Sequence, residues 1–170
     1  MRGSRSRLTP SMVTITSSVV VCIAAFLPWY QTAIGPITAP EALSGWDATA
    51  WGKLAVAGAA ICALCATVVA LDIRGQIALD DPVRRILAAI GLTAAIVVCG
   101  AVLYRFATPP DPAIGTTRQL GVILATLAAI SGLYGAIAQF TATLPEPPAP
   151  RARRRRRRRA DAGPEANASR

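Results

Sequence analysis

Hydrophobic positions along this chain fall into four long runs, at residues 11–30, 46–71, 82–105 and 118–142, and charged residues are almost confined to the stretches between them. At 1.5 Å per residue, about 20 residues reach across a hydrocarbon core of roughly 30 Å. Each run is long enough to cross a bilayer. The pattern predicts an all-α fold, a polytopic membrane protein built as an antiparallel four-transmembrane-helix bundle. Residues 1–10 form a short basic N-terminus, residues 11–143 hold the membrane domain with outer loops at 31–45 and 106–117, and residues 144–170 form a Pro- and Arg-rich tail without a fold.

The helix boundaries follow from capping chemistry. Pro28 stands near the outer end of the first helix, where a missing donor costs least. Gly35-Pro36 and Pro40 then mark a folded loop. Ser44 and Asp47 have capping-box spacing, which opens the second helix near Gly45 and carries it to about Leu71. Asp81-Pro82 reads as N-cap and first residue of the third helix, while Pro109-Pro110 and Asp111-Pro112 forbid its continuation. Thr116 and Gln119 offer a second capping pair before the fourth run. An uncleaved first helix is expected, because no small-x-small cleavage site precedes the loop and Cys22 follows Val21.

Basic residues near the helix ends set the orientation. Arg2, Arg5, Arg7, Arg74, Arg84, Arg85 and the tail fall on one side, against Lys53, Arg105 and Arg118 on the other. Both termini are therefore expected in the cytoplasm of a bacterial cell, in its inner membrane. All three tryptophans, Trp29, Trp46 and Trp51, then ring the outer interface together with Tyr104, as amphipathic aromatic rings do at headgroup level. Small residues recur every fourth position: Gly58, Cys62, Ala66 and Ala70; Gly91, Ala95 and Cys99; Gly121, Ala125 and Ala129, with Ala128, Gly132 and Ala136 beside them. Such stripes let helices approach closely in lipid.

Composition agrees with a bilayer as solvent: 53% of the 170 residues are hydrophobic, and mean hydropathy is +0.44. The net charge of +9 would point to nucleic acid in a soluble protein. Much of it lies in one run, Arg151, Arg153, Arg154, Arg155, Arg156, Arg157, Arg158 and Arg159, which has no interleaved aromatic and no folded recognition module. That run reads as a topology anchor and a contact for anionic lipid, at about 1 kcal/mol per basic residue; nucleic acid is not the expected partner.

Candidate chemistry is sparse. There is no histidine, which removes the commonest general base and metal ligand, and no cofactor, metal or catalytic group is expected. Cys62 and Cys65 form C-x-x-C, a spacing used by membrane thiol oxidoreductases, but an apolar site disfavours the thiolate and neither outer loop holds a partner cysteine. They are read as small apolar residues. No ionisable residue occupies the centre of a run, although ion-coupled transporters usually place one there. Thr67, Thr93, Thr126 and Ser131 are expected to satisfy helix carbonyls, and Asp47 and Glu41 to serve caps and turns.

Phe26-Leu27-Pro28-Trp29, then Ser44-Gly45-Trp46-Asp47-Ala48, then Leu103-Tyr104-Arg105-Phe106 followed by Pro109-Pro110 carry a resemblance. In these motifs the chain resembles small four-helix membrane proteins common in actinobacteria, from the first helix to the fourth but not in the arginine-rich tail. The resemblance implies the architecture and a bacterial host; it implies no activity and no catalytic residue.

The expected function is that of a non-enzymatic accessory or structural membrane component, with a small transporter or channel subunit and a thiol enzyme as rivals. Its expected partners are the bilayer, anionic lipids, and a membrane protein or a second copy of itself. The candidate recognition surface is the outer cap of Trp29, Ser44, Trp46, Asp47, Trp51, Tyr104 and Arg105. A reporter fused after Ser169 tests the orientation: alkaline phosphatase should be inactive there and a green fluorescent protein bright.

Overall fold

Length and apolarity favour helices in this chain, because every backbone polar group in lipid must be satisfied within its own segment. The computed structural model describes residues 2–32, 41–48, 50–108 and 117–144. Four long helices, α1 (Arg2–Phe26), α3 (Ala50–Ile73), α4 (Asp81–Ala107) and α5 (Leu120–Ala142), are each apolar and long enough to span a membrane. At 1.5 Å per residue they run roughly 35–40 Å, more than a hydrocarbon core, so their ends reach the headgroup layers. A one-turn helix α2 (Gly45–Ala48) and three short strands, β1 (Pro28–Thr32), β2 (Glu41–Ser44) and β3 (Thr117–Arg118), complete the described elements.

The long helices close into a ring in which α1 packs on α3 and α5, and α4 packs on the same two. Side-chain size is sorted in the sense opposite to a soluble protein. The interior is lined by Ala55, Ala59, Cys62, Ala95, Ala125, Ala129 and their neighbours, while Ile23, Leu64, Leu127 and Tyr134 point outward. Water as solvent would make that exterior a large sticky patch; acyl chains make it neutral. This is an integral, multi-pass membrane protein. Every residue of the expected small-residue stripes, from Gly58 and Gly91 to Ala136, is buried.

Polar groups inside the bundle are small and mostly paired. The Ser17 and Ser131 hydroxyls meet at 2.8 Å across α1 and α5, and Thr14 donates to the Pro10 carbonyl at 3.0 Å. Thr67, Thr93 and Thr126 each donate to the carbonyl four residues earlier, at 2.7, 3.0 and 2.7 Å, as expected of hydroxyls in apolar helices. Cys62 donates its thiol to the Gly91 carbonyl at 3.4 Å.

At the end of the bundle that carries the start of α1 and the end of α5, α3 closes with a Schellman motif. Gln76 N–H reaches the Leu71 carbonyl and Gly75 N–H the Asp72 carbonyl, with Gly75 in the left-handed region at φ 72°. Asp72 then accepts from Leu79 N–H at 2.9 Å and from Arg84 Nε at 2.7 Å, and Arg85 Nε donates to the Thr143 carbonyl at 3.1 Å.

Several boundaries differ from the sequence reading. The first helix starts at Arg2 and stops at Phe26, and Pro28 opens a strand, because proline cannot donate within a helix and its predecessor avoids helical angles. The second helix is split into α2 and α3. The N-cap of α4 is Asp80, one residue before the expected Asp81, which lies in the first turn and pairs with Arg84 at 3.2 Å. Arg118 belongs to a strand, and Gln119 caps α5 without a side-chain bond to its backbone. Gly35-Pro36, Pro40, Pro109-Pro110, Asp111-Pro112, Thr116 and the arginine run at 151 and 153–159 lie outside the described residues.

Close helix approach is most demanding at Gly135 of α5. A Cβ there would lie 2.6 Å from Thr14 Oγ1 and 3.1 Å from the Pro10 carbonyl oxygen of α1, whereas one on Gly100 would meet nothing within 4 Å. Gly135→Ala is expected to lower the unfolding midpoint in detergent by about 1–3 kcal/mol of overpacking. Gly100→Ala should be neutral or raise stability by up to about 1 kcal/mol through helix propensity.

Candidate functional site

At the opposite end of the bundle the chain from Pro28 to Gln119 builds a cap. Its frame is a three-stranded sheet of order β2-β1-β3, both pairings antiparallel. Tyr30 pairs with Leu43 on one side and Arg118 on the other, and Gln31 with Ala42 and Thr117. Trp, Tyr, Gln and Thr after Pro28 suit a short strand, since aromatic and β-branched side chains favour a half-buried pleat. The register slips between Pro28 and Tyr30, so Trp29 is the extra residue of a bulge.

The bulge lets two adjacent aromatic residues both turn inward, where strict alternation would send one out. Trp29 is 1% exposed and Tyr30 0%. Trp29 donates its indole N–H to the Ala24 carbonyl at 2.7 Å, and Tyr30 donates its hydroxyl to the Arg105 carbonyl at 2.5 Å. Both acceptors belong to the last turns of α1 and α4, whose carbonyls have no partner within the helix. One strand thus caps two helix ends. Gly45 and Gly121 leave room for the Trp29 indole, since a Cβ on either would enter its ring.

Cationic groups gather around the end of α4, where they complement the negative pole of the helix. Arg118 donates from Nε to the Phe106 carbonyl at 2.8 Å and lies 4.9 Å over the Phe106 ring. Arg105 is 7% exposed, with its guanidinium carbon 5.7 Å from the Tyr30 ring centre. Its Nε and Nη2 meet no hydrogen-bond acceptor among the described residues. Beside them Gln119 donates its amide to Gln31 at 2.9 Å.

The rim of the cap is aromatic. Trp46 stacks on Phe26 at 5.6 Å, Trp51 leans on Tyr104 at 5.0 Å, and Lys53 sits 5.8 Å over Trp46. Ser44 receives the Asp47 N–H at 3.1 Å and donates to the Asp47 carboxylate at 2.7 Å, so the expected capping pair is formed, with Asp47 reaching the Ser44 hydroxyl.

Of the residues expected to form this cap, all seven are in it, but not in one role. Trp46, Trp51 and Tyr104 are exposed on the rim, as an interface belt requires. Trp29 does not belong to that belt: the bulge turns it into the core, where its N–H is met by a carbonyl instead of water. Tyr104 and Arg105 part company, the first 49% exposed and the second buried. Sequence reading passed over Tyr30, Gln31, Arg118 and Gln119. Pro28 followed by Trp-Tyr-Gln-Thr was the available signal for the strand. The four cysteines are free, and among the described residues no three His, Cys, Asp or Glu gather into a metal site.

No family model, no curated protein and no solved structure matches this chain.

Burial pushes the Tyr30 phenol above its ordinary range, against the opposing pull of Arg105 and Arg118. The cap therefore favours the neutral phenol, and its share of stability is fully present below about pH 10 and lost as pH rises through the higher folded value. Resistance of the cap to protease should decline above pH 10 in the wild type. Tyr30→Phe should remove that alkaline step and cost about 0.5–1.5 kcal/mol at neutral pH, read from the unfolding midpoint.

Proposed function

We propose that this protein is a non-catalytic accessory or structural component of a bacterial plasma membrane, with both termini in the cytoplasm, and that its cap is the face a membrane partner reads. The observation that carries this reading is the rigid aromatic rim. Trp46, Trp51, Tyr104 and Lys53 are exposed, yet each is held by a ring contact to a neighbour, on a sheet anchored by Trp29 and Tyr30. Exposed aromatics held in place lose little conformational freedom on docking, which is the property of interface anchors.

The interior supports a scaffold more than a conduit. The space between helices at Ser17, Ser18, Cys62 and Leu133 amounts to about 10 Å³. That is scarcely room for one water and leaves no path for a solute. The arginine-rich tail would hold the cytoplasmic end against anionic lipid, an attraction that weakens as salt rises.

A photo-crosslinking residue in place of Trp51 tests the reading in native membranes. The expected product is a discrete adduct, with a second protein or with another copy of this chain. Crosslinks to lipid alone would remove the recognition role.

A further inference from the structure

Arg105 carries the one charge in the described cap that is buried and left with open donors. It sits in the last turn of α4, 7% exposed, beside the fully buried Tyr30. An arginine stays charged at any physiological pH, so burial cannot be relieved by losing the proton. Other cations of the cap are accommodated differently: Arg118 spends its Nε on the Phe106 carbonyl, and Lys53 lies over Trp46 on the exposed rim. The carboxylate of Asp47 is engaged by Ser44.

Which donors are open decides what would fit. Nε–H and the adjacent Nη2–H point the same way along one edge of the guanidinium, forming the fork that grips two oxygens of a single anion in parallel. It is this pair, Nε and Nη2, that lacks acceptors. A water molecule would meet one donor well and leave the charge uncompensated. An anion with two oxygens on one face meets both. The helix ends lie beyond the hydrocarbon core, at the depth where phosphodiesters are abundant.

We infer that the Nε–Nη2 edge of Arg105 is the anchor of a phosphate subsite under the cap, taking the phosphate of an anionic lipid headgroup or of a soluble phosphate compound. Tyr30 forms the apolar wall on which the guanidinium rests, and its bond to the Arg105 carbonyl fixes the backbone from which the fork projects. This site does not depend on the accessory role of the rim.

The test uses the purified full-length chain in uncharged detergent and phosphate-free buffer, read by tryptophan fluorescence and by the thermal midpoint. Three probes are titrated: dihexanoyl phosphatidylglycerol, inorganic phosphate, and dihexanoyl glycerol, which lacks phosphate. Saturable binding of either phosphate probe, with none of dihexanoyl glycerol, is expected. Phosphatidylglycerol alone identifies a lipid headgroup, and inorganic phosphate alone a soluble ligand. Arg105→Lys keeps the charge but loses the fork and should weaken binding about tenfold or more, the loss of one good charge-assisted bond, whereas Arg118→Gln should bind within about twofold of wild type.

Arg105→Met provides a second reading that needs no ligand. With the fork unfilled, removing the charge should leave the midpoint in phosphate-free buffer equal or higher. Equal affinity of Arg105→Lys and wild type would overturn the assignment, as would the absence of saturable binding by both phosphate probes. So would a fall in midpoint for Arg105→Met that Asp111→Asn or Glu41→Gln reproduces, since the fork would then be held by a carboxylate of the chain itself.

Discussion

The structure turns on the unpaired carbonyls at the ends of α1 and α4. A helix leaves its last four carbonyls without internal partners, and at a membrane boundary water meets them only in part. Here β1 supplies what water would. Trp29 reaches back to Ala24 and Tyr30 across to Arg105, so consecutive side chains close two helices that are far apart in the chain. Arg118 and Thr108 meet the carbonyls of Phe106 and Tyr104 in the same region. Because the caps come from one strand, the angle between α1 and α4 and the position of the sheet are fixed together.

Below the cap, the helices are held by proximity more than by large side chains. Alanine, glycine, cysteine and serine line the seams, and the bulky residues face lipid. Dispersion between close backbones is the main attraction available where the solvent is itself apolar. Trp29 and Tyr30 are the largest fully buried side chains, and both stand at one end. The bundle is therefore uniform along most of its length and specific at the cap.

Much of this was legible in the sequence because lipid imposes simple rules. Run length gave the four spans, and the four-residue spacing from Gly58 to Ala70 and from Gly121 to Ala129 marked faces that are indeed buried. The Ser44–Asp47 pair was legible because capping is local. The fate of Trp29 was not, since it depends on a bulge set by pairing with a strand more than ten residues away. Nor was the divergence of Tyr104 from Arg105: neighbouring helix positions point about 100° apart, and which of them meets Tyr30 is decided by how α4 sits against β1. The sheet itself was hidden by its size, for β3 is two residues long and exists only as a partner of β1.

The order in which the cap's pieces leave the ribosome follows from the same connections. Tyr30 waits for Arg105, and Gln31 for Gln119, 75 and 88 residues later. The hairpin of α3 and α4, closed by Gly75 and the Asp72–Arg84 pair, needs nothing from elsewhere and can enter the bilayer as a finished unit. The first strand, by contrast, has an open edge and an unhoused indole until Gly121 arrives with α5. Completion of the cap is thus the last act of biogenesis, and a chain truncated before its fourth helix would display Trp29 and an unpaired strand edge as marks by which quality control could recognise it.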